Sequence, residues 1–240
     1  MPGVLAAVAV CAAVACGSRG ESPEERGAPS PAPAIESTPP VRGAKEPRVV
    51  ILGDSLTAGL GLPMAQAFPS RLQRHLDDEG LPYTIVNAGI SGDTSAGGLS
   101  RLDWALDGDV RILLVALGGN DGLRGLPPAE LARNLSTIIE RAQARGVTVV
   151  LAGVEAPPNY GFKYIADFHK VYPALAKKHK VALVPFLLDR VAGIADLNQN
   201  DGIHPTAEGA KIVADTVWTV LKPIVEDDSR RRAPGKASAR

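Results

Sequence analysis

Beyond residue 16 this 240-residue chain has no cysteine, since both of its cysteines, Cys11 and Cys16, sit in the first stretch. A disulfide framework and any thiolate metal site are therefore excluded from the rest of the chain. Neither sign of charge is in excess. Lys and Arg number 26 against 26 Asp and Glu, so no whole-molecule field attracts polyanions, and no basic stripe interleaved with aromatics offers a nucleic-acid surface. Aromatic residues make up 4% of the chain, which leaves few rings on which a sugar could stack. A bilayer-spanning run is also missing, because the apolar segment Val4 to Cys16 falls short of the roughly 20 residues a spanning helix needs.

That short apolar run reads as an export signal over residues 1–16. Ala13-Val14-Ala15-Cys16 resembles a bacterial lipobox, which implies a lipid on Cys16, membrane association through it and a place on the periplasmic side of the cell envelope. Cleavage after Ala15 to a soluble secreted product is the other reading. Residues 17–47 are rich in Pro, Ser, Glu and Ala and cannot bury enough apolar surface to offset chain entropy, so they are expected to form a disordered tether. Residues 226–240, with Arg230-Arg231-Arg232, Lys236 and Arg240, are expected to form a basic disordered tail, a solvated terminus rather than a lipid contact.

Residues 48–225 then form one domain. Val49-Val50-Ile51-Leu52, Thr84-Ile85-Val86, Ile112 to Val115, Val147 to Leu151 and Val181 to Val184 are continuous apolar runs of strand length. Runs without alternation mean strands buried on both faces. Amphipathic stretches lie between and after them: Phe68 to Leu76, Leu99 to Leu106, Pro128 to Ala144, Tyr164 to Lys177 and Pro205 to Leu221. The alternation predicts a parallel sheet covered by helices on both sides, with active groups at the carboxyl ends of the strands.

Candidate groups occur at those ends. Gly53-Asp54-Ser55-Leu56 places a hydroxyl just after the first strand. Such a serine needs a base to take its proton, and Asp201-Gly202-Ile203-His204-Pro205 supplies an imidazole with a carboxylate three residues away, close enough to hold one ring nitrogen. Asn87-Ala88-Gly89 and Gly118-Gly119-Asn120-Asp121 end the second and third strands with donors suited to a developing oxyanion.

These four blocks, in this order, resemble the SGNH or GDSL hydrolases, most closely the bacterial envelope acyl-thioesterase, lysophospholipase and arylesterase group. The resemblance implies a flavodoxin-like three-layer α/β/α sandwich with a five-stranded parallel sheet. It implies Ser55 as nucleophile, His204 as general acid and base, Asp201 as its orienter, and the Ser55 amide, the Gly89 amide and the Asn120 side chain as oxyanion hole, with no metal and no cofactor. The expected activity is hydrolysis of a small acyl ester or thioester through an acyl-enzyme, by a monomer. A carbohydrate O-deacetylase on the same scaffold and a non-catalytic lipoprotein binding module are the alternatives.

Other signals fail on spacing. Asp196, Asn198 and Asn200 alternate like a calcium loop but lack its Gly and Glu, and Gly59-Leu60-Gly61 lacks the third glycine of a dinucleotide fingerprint. Asp93 stands where a nucleophile elbow around Ser95 needs glycine, so that loop is expected to be a mobile cleft wall. His75, His169 and His179 are expected to be solvated.

Overall fold

The computed structural model describes residues 46–232; the expected export signal, Cys16, the expected tether as far as residue 45 and residues 233–240 lie outside them. The apolar runs become strands β1 (Arg48–Gly53), β2 (Thr84–Gly89), β3 (Val110–Ala116), β4 (Thr148–Ala152) and β5 (Ala182–Val184). All pair in parallel, in the order β2-β1-β3-β4-β5. Val49 to Leu52 of β1 and Ile112 to Val115 of β3 are essentially inaccessible, as strands covered on both faces must be.

The helices are α1 (Ser55–Ala58), α2 (Phe68–Asp78), α3 (Ser95–Ser100), α4 (Leu102–Ala105), α5 (Gly119–Leu123), α6 (Pro128–Ala144), α7 (Phe162–His169), α8 (Val171–His179) and α9 (Ala207–Arg232). They form two packed groups, α2 against α9 and α6 against α3 and α8, which gives the three layers. In α6 the apolar positions Leu131, Leu135, Ile138, Ile139 and Ala142 recur at helical spacing and are fully buried, each large side chain contributing about 1.5–3 kcal/mol. No described helix is long and apolar enough to cross a membrane.

Three expectations need correction. The helix expected from Leu99 to Leu106 begins at Ser95, where the Thr94 hydroxyl accepts from the Gly97 amide, and breaks at Arg101. The helix expected from Tyr164 to Lys177 is interrupted at Lys170. The basic tail expected from residue 226 is still helix as far as Arg232. Val225 and Asp228 continue the buried face of α9, and the buried Asp228 carboxylate accepts from Tyr83 Oη at 2.7 Å and from Arg111 Nη2 at 3.0 Å. In sequence the run Glu226-Asp227-Asp228-Ser229 hides that continuation, because a charge buried through partners looks like a solvated one.

Candidate active site

Strand order changes direction between β1 and β3, and groups at the carboxyl ends of those two strands face one crevice. Ser55 opens α1 directly after β1, and Asn120 lies in α5 just after β3. The opposite wall is a hairpin closed by an isolated bridge between Asn198 and Pro205, with Gln199 N donating to His204 O at 2.7 Å. Gln199 Nε2 also donates to Leu60 O and Pro205 O, so the segment after Ser55 and the segment holding His204 share one clamp.

The hairpin brings His204 Nε2 to 2.8 Å from Ser55 Oγ, and His204 Nδ1 to 2.6 Å from Asp201 Oδ2. Asp201 Oδ1 accepts the Ile203 and His204 amides at 2.9 and 3.0 Å. These contacts, the His204 amide first, then its ring and the Ile203 amide, lower the Asp201 pKa to about 2. Asp201 therefore stays ionised across the neutral and mildly acid range, and its favourable contribution is lost only as pH falls toward 2. An ionised carboxylate only accepts, so Nδ1 carries the proton and Nε2 is left to accept from the serine hydroxyl.

Two donors flank Ser55 Oγ's neighbourhood. The Ser55 amide, first in α1, has no acceptor among the described residues. Asn120 Nδ2 donates to Asp93 O at 2.9 Å, while its approach to Asp54 Oδ2 is 3.4 Å, long enough to leave the second N–H only weakly engaged.

Gly89 is placed differently from expectation. Its amide donates to Asn87 Oδ1 at 3.0 Å. β2 is an edge strand whose next residue, Ile90, turns its N–H onto Gly53 O, so the Gly89 N–H faces the open edge. The glycine is needed there for packing, since a Cβ would lie 2.3 Å from Ala58 N of α1. Three residues on, Gly92 has φ of 85°, a left-handed conformation that favours glycine, and its amide has no partner among the described residues. The adjacent Asp93 carbonyl is the one that receives Asn120, which puts Gly92 on the same wall as that side chain. The Ser-Gly dipeptide, a turn signal, was the available clue.

Asp54, between strand and nucleophile, is 2% exposed and accepts the Leu56 amide at 3.0 Å. Burial, opposed by that amide and by His204, raises its pKa to about 6. Because the folded value lies above the unfolded one, the neutral acid's contribution to stability is full below about pH 4 and is lost as pH rises through 6. The rise corresponds to about 3 kcal/mol. Asp54→Asn is expected to raise the thermal midpoint above pH 7 and to leave it unchanged below pH 4, read by calorimetry; a constant difference at every pH would contradict this.

The Ser95 loop is not the expected mobile wall. Ser95 is fully buried, its amide and hydroxyl both donating to Asp121 at 2.8 and 2.5 Å, and Asn134 Nδ2 donating to its hydroxyl. His75 pairs with Asp215 and stacks on Trp218, and the His179 side chain is 7% exposed against Ser136, so neither is simply solvated. His169, beside Glu155, is largely exposed as expected. Among the described residues no three His, Cys, Asp or Glu side chains converge to hold a metal ion.

The GDSL-like Lipase/Acylhydrolase family matches residues 51–212, a span that contains Ser55, Asn120 and His204. The chain belongs to this family. It is 47% identical to "Esterase TesA" of Pseudomonas aeruginosa, over 74% of this chain and 89% of that protein. It is 39% identical to "Thioesterase 1/protease 1/lysophospholipase L1" of Escherichia coli K12, over 78% and 89%. The crystal structure of the psychrotrophic esterase EstA from Pseudoalteromonas sp., inhibited by monoethylphosphonate, superposes with a TM-score of 0.70 at 32% identity, covering 75% of this chain and all of that one. As a GDSL hydrolase the chain is an enzyme of ester and thioester hydrolysis with an α/β fold.

Proposed function

We propose that Ser55, His204 and Asp201 carry out acyl transfer to water, with the Ser55 amide, the Asn120 side chain and the Gly92 amide receiving the oxyanion. The observation that carries this reading is the chain of contacts from Asp201 through His204 to Ser55, 2.6 and 2.8 Å, beside an unpaired Ser55 amide. As Ser55 Oγ attacks an acyl carbonyl, its proton passes to His204 Nε2 and the carbonyl pair moves onto oxygen. Collapse of the tetrahedral adduct expels the alcohol or thiol, which takes the proton from His204. Water then repeats the sequence on the acyl-enzyme.

A small apolar crevice lined by Leu56, Leu60, Phe68, Leu188 and Val213 lies beside Ser55 and His204, too tight as it stands to hold an acyl chain but apolar at its mouth. Exposed Leu123, Tyr160 and Phe162 extend apolar surface along neighbouring loops. One chain holds every group the reaction needs, so a monomer suffices. Residues 1–16 remain proposed as an export signal, with lipid attachment at Cys16 and the catalytic domain on the periplasmic side of the envelope, on the strength of the sequence order alone.

Purified full-length protein is expected to hydrolyse p-nitrophenyl acyl esters and acyl-thioesters, and to prefer them to acetylated xylan. A folded protein inert toward all three would point to a binding module, and a preference for xylan to the O-deacetylase. In cells fed radioactive palmitate, wild type is expected to be labelled and Cys16→Ala is not; an unlabelled wild type removes the anchor.

A further inference from the structure

Arg101 takes no part in the proton relay, yet its guanidinium touches the ends of β1 and β2 and the Asp93 side chain, and Asp93 in turn receives Asn120. It sits at the break between α3 and α4, with a side chain 13% exposed. Nε donates to Asp93 Oδ2 at 2.7 Å, Nη1 to Ala88 O at 2.7 Å and Nη2 to Gly53 O at 2.8 Å. Gly53 ends β1 two residues before Ser55. Ala88 is the penultimate residue of β2, just before the loop that holds Gly92. Asp93 lends its own carbonyl to Asn120 Nδ2.

A planar fork of five N–H donors can satisfy three acceptors on three segments in one fixed geometry, whereas an ammonium is a point charge that cannot. Gly53 O already accepts the Ile90 amide at 3.1 Å, so the guanidinium adds a second, charged donor to a carbonyl at the strand end, and by reaching Ala88 O at the same time it ties the ends of β1 and β2 together. We infer that Arg101 is a positioning residue for the oxyanion hole, holding the β1 end, the loop after β2 and, through Asp93, the Asn120 side chain at the spacing the tetrahedral adduct requires. This rests on the acyl-transfer reading above. The loss on removing Arg101 is smaller than loss of a donor itself, which costs on the order of a hundred- to a thousandfold, because the donors remain but are no longer held.

The test is steady-state hydrolysis of p-nitrophenyl butyrate by full-length wild type, Arg101→Ala and Arg101→Lys, with thermal unfolding recorded for each. Both variants are expected to lose about 10- to 100-fold in kcat with KM nearly unchanged. Added guanidinium ion is expected to restore part of the Arg101→Ala rate and to do nothing for wild type. Should Arg101→Ala fail to fold, Arg101→Lys, which keeps the stem and the charge, decides alone. Wild-type kcat in Arg101→Lys, or a loss in Arg101→Ala confined to KM, overturns the inference. An inert wild type sinks the acyl-transfer reading instead.

Discussion

Ser55→Ala is expected to leave the protein folded and to lower kcat toward p-nitrophenyl esters by about a hundred thousand- to a millionfold. Ser55 Oγ is the hydroxyl facing His204 Nε2, and its removal leaves the imidazole with nothing to deprotonate except water. The fold should not notice. The Ser55 side chain lies at the strand exit outside the packed core, and α1 keeps its N-cap, because Asp54 Oδ1 still accepts the Leu56 amide. What survives in the variant is the oxyanion hole and substrate binding, so a small residual rate over water remains. Retention of a tenth or more of the activity would move the nucleophile elsewhere in the chain.

Asp201→Asn is expected to cost on the order of ten thousandfold in kcat with little change in stability. The reason lies in the second oxygen. Asp201 Oδ1 is held by two amides, those of Ile203 and His204, and these accept no substitute but another oxygen. An asparagine must therefore keep its carbonyl there and turn its NH2 toward His204 Nδ1. A donor at that point requires a bare Nδ1, which moves the ring proton to Nε2. The imidazole then presents a donor to Ser55 where the reaction needs an acceptor. Kinetics on the purified variant read the loss, and nitrogen NMR of the ring reads the tautomer. A loss below tenfold, or a proton still on Nδ1, would show that the carboxylate does not set the ring.

Much of this is legible in the amino-acid sequence. Continuous apolar runs such as Val49 to Leu52 read as strands covered on both sides, and the strand-end rule then puts Ser55 and Asn120 on one rim, whereas His204 stands well past β5 and is marked by its own block with Asp201. Asp201 was visible because it stands three residues from His204 in one turn. Gly89 is the sequence's candidate oxyanion donor and Gly92 the one proposed in its place, because both glycines lie in the same stretch and choosing between them depends on which way each N–H points. That direction follows from β2 being an edge strand, a fact of sheet order that no local pattern encodes. The buried pairing of Ser95 with Asp121 was hidden for a related reason, since its partners come from different loops. The last turns of α9 were lost because Asp228 is kept inside by Tyr83 and Arg111, residues far away in sequence.

The imidazole and its acid ride on a single short hairpin, whereas the alcohol opens the helix that follows β1. A change in the gap between alcohol and ring would therefore leave the bond between ring and acid, both within that hairpin, undisturbed. The ring arrives at each new turnover with its proton already on the correct nitrogen, and only one distance has to be re-established.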